Sequence, residues 1–155
     1  MSTKAMFKFY DESDTVYIYK WSNEVNPWNA FKEIKKTFES EYAFKLPKYE
    51  AYQFSAAFLM ANRNTGEINP TGGTNYRIMS GPDSDAHWLY AVSWKGDYLW
   101  IEVFLFDEEV FNGCFGLFEE WQSKYKKEAY KIDTGRRKKL MTIDEMKNLL
   151  KESTE

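Results

Sequence analysis

The sequence predicts an α+β domain, a mostly antiparallel sheet with helices packed on one face, plus a C-terminal helical appendage. Three observations carry this expectation. Two short runs of strand-like residues open the chain, two stretches with helical spacing of apolar residues follow, and a meander of strands comes next. At 155 residues the chain suits one domain and can bury a sizeable core without a metal or disulfide. Residues 1–132 are read as the single α+β domain. Residues 133–155 are read as a basic linker and a short C-terminal helix, expected to be dispensable for folding.

Residues 5–10 and 15–20 read as strands, joined by the polar turn "DESD" into a hairpin. Asn26 is a good N-cap, and Pro27 suits the first helical position, where its missing N–H costs nothing. Trp28, Phe31, Ile34, Phe38 and Tyr42 then recur at steps of three and four, the stripe of an amphipathic helix. Pro47 marks a second helix whose apolar arc is wide enough to be mostly buried. The Gly-rich stretch 64–74 reads as a loop. Strands are expected over 76–80, 87–94, 98–106 and 110–114, with Gly96 supplying the turn of the central hairpin. "LFEEWQSKYKK" reads as a helix carrying Leu117, Phe118 and Trp121. Thr142 with Glu145 forms a capping box that opens the last short helix.

The central hairpin is the most informative element. A two-residue turn puts Trp88, Tyr90, Val92 and Trp94 on one face with Leu99, Ile101 and Val103. The other face carries Leu89, Ala91 and Ser93 with Tyr98, Trp100, Glu102, Phe104 and Phe106. Both faces are apolar. A sheet covered by helices on one side normally shows water a polar second face. Either the C-terminal helices cover this face, or it serves a homo-oligomer or a ligand. Tyr98, Trp100, Phe104 and Phe106 are the candidate interface residues.

Composition narrows the function. Aromatic residues are 19% of the chain, which implies a large aromatic core or apolar surface kept for a partner. The net charge of −3 has the wrong sign for a generic nucleic-acid binder. One cysteine, Cys114, permits no intramolecular disulfide and fits a reducing, cytoplasmic compartment. No signal-peptide pattern opens the sequence, and no apolar run approaches the roughly 20 residues that span a bilayer.

Catalytic patterns are thin. The one histidine, His87, sits in a strand with no Cys–His or HxxxH arrangement, which argues against zinc and against Ser–His or Cys–His chemistry. The acidic clusters lie in predicted turns, where carboxylates are ordinarily solvated. "TGGT" lacks the GK[ST] of a phosphate-binding loop, and "GRRKK" lacks the interleaved aromatics of a nucleic-acid site. No metal and no cofactor are expected. Arg63 and Arg77, the two arginines outside the linker, flank the Gly-rich loop. Each is either a surface ion-pair partner or a clamp for a planar anion, a role that suits the guanidinium fork. Trp21, Trp28 and Tyr76 are the nearest candidate stacking planes.

The order of segments resembles a family of small bacteriophage and prophage proteins. The matching residues are "MSTKAMFKF", "VYIYKW", "LPKYEAYQFSAAFLMANR" at 46–63, "GGTNYR" at 72–77, "WLYAV" at 88–92 and "LFEEW" at 117–121, so the resemblance spans about residues 1–121. Family members place a loop containing His, Asp, Gly and Pro after the second strand. Here that loop is "WSNEVNPW", so any role of its histidine is absent. The resemblance implies action by binding, either blocking a host defence protein or sequestering a nucleotide-like signal. A small enzyme acting on nucleotides and an interaction module without a defence role are the alternatives.

Overall fold

A computed structural model describes residues 4–40, 49–63, 75–83 and 85–151. The expected helix start at Pro47, the Gly-rich loop 64–74 and the end of the first helical stripe at Tyr42 lie outside the described residues. Six strands form one sheet: β1 (Lys4–Tyr10), β2 (Thr15–Trp21), β3 (Tyr76–Met79), β4 (Trp88–Lys95), β5 (Tyr98–Leu105) and β6 (Glu108–Cys114). Their order across the sheet is β3-β2-β1-β4-β5-β6. Every neighbouring pair is antiparallel except β1 with β4, which run parallel with Ala5 opposite Trp88 and Phe9 opposite Val92.

The helices are α1 (Pro27–Phe38), α2 (Ala51–Asn62), α3 (Phe115–Asp133) and α4 (Ile143–Lys147). Asn26 stands at the N-cap position of α1 with Pro27 just inside; its side chain makes no cap bond, and its carbonyl accepts from the Asn29 and Ala30 N–H groups. All four helices cover the same face of the sheet. Phe7 and Phe9 of β1 and Tyr90 of β4 meet Phe54 and Phe58 of α2, Phe31 and Ile34 of α1, and Phe118 and Trp121 of α3 in one core. Much of the aromatic content is spent there: the Phe7 ring lies 4.7 Å from Phe58 and 5.4 Å from Tyr90. Among the described residues no helix is long and apolar enough to cross a membrane.

The central hairpin pairs Trp88 with Leu105 and Lys95 with Tyr98, around a turn in which Gly96 has φ +61°. The face assignment made from parity therefore holds for residues 88–105. Phe106 does not belong to that face. With Asp107 it makes the two-residue turn between β5 and β6, both at positive φ (48° and 67°), and its ring meets His87 edge-on at 5.1 Å.

The tail contributes to the core. Thr142 and Glu145 complete the capping box, and Met141, Met146 and Leu149 are buried in the main hydrophobic cluster. The Trp121 indole N–H donates to the Met146 carbonyl at 2.7 Å. The basic run is a turn held by Arg137, which pairs with Glu128 on α3 and Glu145 on α4. The composition break marks this polar turn; the apolar face resumes beyond it.

Candidate functional site: the open face of the sheet

With all four helices on one side, the other side of the sheet has no helix over it among the described residues. Strand alternation decides what it carries. Tyr17 and Tyr19 of β2 lie opposite Met79 and Arg77 of β3, so all four share this face. Trp21 follows two residues on, with its N–H bonded to the Asn75 carbonyl at 3.1 Å. Trp21 is 58% exposed, and Arg77 is exposed beside it. The two are diagonal neighbours, a relation that places residues about 7–8 Å apart, within reach of long side chains.

The same face continues across β1, β4 and β5. It carries Lys4, Met6, Lys8 and Tyr10, then Leu89 and Lys95, then Tyr98, Trp100, Glu102 and Phe104. Tyr98 is 64% exposed, whereas Trp100 and Phe104 are half-buried. The expectation that the C-terminal helices cover Trp100 and Phe104 is replaced: α3 and α4 pack on the opposite side, because Phe118, Trp121 and Met146 join the Tyr90 core. Trp100 is oriented by its indole N–H, which donates to Asn112 Oδ1 at 2.7 Å, and the Lys95 ammonium lies 4.9 Å from its ring centre. Lys8 lies 4.9 Å over the Tyr10 ring in the same way. The Tyr10 hydroxyl donates to Glu102, and burial followed by that carboxylate raises the phenol above its ordinary range. Four cations (Lys4, Lys8, Arg77, Lys95) thus stand among these rings, against Glu102 and Glu109, on a chain that is acidic as a whole.

The five ligand residues expected from sequence do not form one site. Trp21 and Arg77 come together. Tyr76, next to Arg77 in the strand, must point the other way, and it does: it is buried under α1 and α2, and its hydroxyl donates to Glu33. Trp28 belongs to the helix layer, 6.0 Å from the Tyr125 ring. Arg63 is the C-cap of α2, also in the helix layer. The signal that separates them is the period of two, applied to Tyr76 and Arg77, which share one strand. Tyr19, which that same parity adds to the corner, was overlooked; at 8% exposure it backs the corner and does not open onto it.

Tyr76 instead belongs to a buried polar cluster. Lys20 Nζ lies 2.8 Å from Glu33 Oε1 with both side chains 2% exposed, and Lys20 also donates to the Glu24 carbonyl. Asn62 Nδ2 donates to the Glu33 and Phe58 carbonyls. Burial raises the Glu33 carboxyl, opposed by Lys20 and by the two hydrogen bonds it accepts. The cluster has the residue types of an acid–base site and no solvent-exposed member, so its chemistry is that of a locked ion pair. His87 also serves the framework: its N–H donates to the Lys4 carbonyl, and its own carbonyl accepts from Phe106. No three His, Cys, Asp or Glu side chains among the described residues are grouped so as to hold a metal ion.

No protein-family model matches this chain, and no curated protein or solved structure is detectably similar to it. The phage and prophage resemblance therefore rests on the residues quoted for it.

Proposed function

We propose that this protein works by binding, without turnover, through the open face of its sheet. In the setting implied by the resemblance, the cytoplasm of an infected or lysogenic bacterium, that binding counters a host defence. One observation carries the reading: the helices all pack on one side, and the other side presents aromatic planes interspersed with cations. Of the two targets, a nucleotide-like signal fits the Trp21–Arg77 corner best. A base stacked on the exposed Trp21 ring gains about 1–3 kcal/mol. Arg77 offers a planar fork to phosphate, which a lysine would not reproduce.

The test is calorimetry against cyclic nucleotides and ADP-ribose-type molecules. Binding is expected to be lost in Arg77→Ala, with a melting temperature nearly unchanged because the side chain is exposed. A panel with no binder, or an Arg77→Ala variant that fails to fold, would remove the nucleotide reading. Turnover of any panel member would favour the alternative of a small nucleotide-directed enzyme.

A second reading has its own support at the other end of the face. Tyr98, Trp100 and Phe104 form a patch of the residue types enriched at interface cores, suited to a host protein or a second copy of this chain. Sedimentation at micromolar concentration distinguishes these: a species larger than 18.4 kDa that reverts to monomer in Tyr98→Ser/Trp100→Ser identifies self-association.

A further inference from the structure

We propose that the open face binds single-stranded nucleic acid, laid along the diagonal from Trp21 on β2 to Trp100 on β5. The inference rests on the reading of this face as the binding surface. It extends that reading from one nucleotide at the corner to a strand that crosses the sheet. Open sheets carrying aromatic side chains are a general platform for unpaired bases, with basic side chains beside them for the phosphates.

Register fixes the diagonal. Each step from Trp21 to Met6, then to Ala91 and then to Trp100 crosses one strand and moves two residues along. Met6 and Ala91 are buried, at 1% and 3% exposure, so the middle of the diagonal is a floor with a ring at each end. Strand spacing and rise put the two tryptophans about 25 Å apart. An extended single strand covers that span in about five nucleotides, inside the usual size range of such sites. The Trp100 ring is held in place by its bond to Asn112 before any base arrives.

The charges follow the same line. The whole chain carries 24 acidic residues against 21 basic ones. The strand positions of this face reverse that balance: Lys4, Lys8, Arg77 and Lys95 stand against Glu102 and Glu109. Glu102 is engaged by the Tyr10 hydroxyl. Lys4 and Lys8 flank Met6 on β1, Arg77 stands beside Trp21, and the Lys95 ammonium lies against the Trp100 ring. A cation thus accompanies the start, the middle and the end of the diagonal. The four come from three strands that are far apart in the chain, so no basic run announces them and the net charge of −3 conceals them.

The pattern selects a nucleotide strand over a second copy of this chain. A two-fold contact through the whole face would set the four cations against their own duplicates. It also selects single strands over duplexes, which keep their bases from the rings.

Fluorescence anisotropy of the full chain with labelled oligouridylate and oligothymidylate, in lengths from about 1 to about 10 nucleotides, tests this. Affinity is expected to climb steeply until the oligomer spans the diagonal, at about five nucleotides, and only slowly beyond. The tighter of the two series identifies RNA or DNA as the source of the strand. Log affinity should fall against log salt with a slope of about −3, and Lys8→Gln/Lys95→Gln should halve that slope. Trp100→Ala should weaken the longer oligomers about tenfold, and Trp21→Ala, whose ring is exposed, should do the same. Tyr130→Ala, an exposed ring on the helix side, should change nothing. Equal competition by a duplex of the same length, equal competition by polyglutamate (the mark of an acidic protein partner), or unchanged oligomer binding in Trp21→Ala and Lys8→Gln/Lys95→Gln would overturn the proposal. A flat length series with mononucleotides bound at the corner would overturn it and keep the corner reading. Length-dependent binding without mononucleotide affinity would do the reverse.

Discussion

Replacing Lys20 with methionine removes one partner of a fully buried ion pair and leaves the other in place. The Lys20–Glu33 contact of 2.8 Å corresponds to about 6 kcal/mol of attraction at an effective dielectric of about 20. Most of that attraction offsets the cost of taking both charges out of water. The net loss on removing one partner is therefore put at about 3–5 kcal/mol, the usual range for an orphaned buried charge. For a chain of this size that lowers the melting temperature by about 6–20 °C. The loss should depend on pH, with a definite sign. Burial already holds the Glu33 carboxyl above its ordinary value, and Lys20 opposes that shift. Without Lys20 the folded value rises further above the unfolded one. The folded state then binds the proton more tightly than the unfolded state, so the variant loses stability as pH climbs through the window between those two values. Urea unfolding followed by tryptophan fluorescence, at about pH 4 and pH 7.5, measures both quantities; Lys20→Met should be near parent stability at the lower pH and far below it at the higher. The compensated variant Lys20→Met/Glu33→Leu/Tyr76→Phe should recover most of the loss, since Tyr76 donates to the same carboxylate. A deficit below about 1 kcal/mol at pH 7.5, or one equal at both pH values, would refute the account of Glu33 as a charge held by Lys20.

Two further outcomes follow from the packing. Truncation after Lys139 removes Met141, Met146 and Leu149 from the core; each buried side chain is worth about 1.5–3 kcal/mol, so the cooperative thermal transition should be lost or fall sharply, and an unshifted melt would return the tail to a dispensable role. Asp107→Gly should raise stability by about 0.5–1 kcal/mol in urea titration, because Asp107 holds φ 67° in a turn that glycine enters without strain; a loss would mean that the Asp107 side chain contributes more than its backbone costs.

Elements set by local pattern were readable from the residues. The stripe through Phe31 and Ile34, the Asn26–Pro27 start, the Thr142–Glu145 box and the face parity of the Trp88–Leu105 hairpin all come from spacings of a few positions. Features set by distant partners were not. Nothing near Lys20 announces that it is buried, because its partner sits on α1 and its place was fixed by the register Ala5–Lys20 across the first hairpin. The parallel pairing of β1 with β4 joins segments far apart in the chain, which short-range periodicity does not register. Trp21 and Arg77 of the proposed corner were legible, and Tyr19 beside them was not. The grouping of Tyr76 with Arg77 failed on alternation alone.

That parallel pairing also has a consequence for synthesis. The edge of β1 that receives β4 is completed only when Trp88–Val92 has been made. Until then the emerging β1–β2 hairpin presents a row of unsatisfied backbone groups beside the large apolar rings of Phe7 and Phe9. Closing so long a loop comes before its contacts are gained, so sheet completion should be the slow step on the ribosome. A nascent chain stalled before β4 is thus the species most prone to pair with its neighbours on a polysome, and lowering the translation rate upstream of Trp88 should decrease the yield of soluble protein.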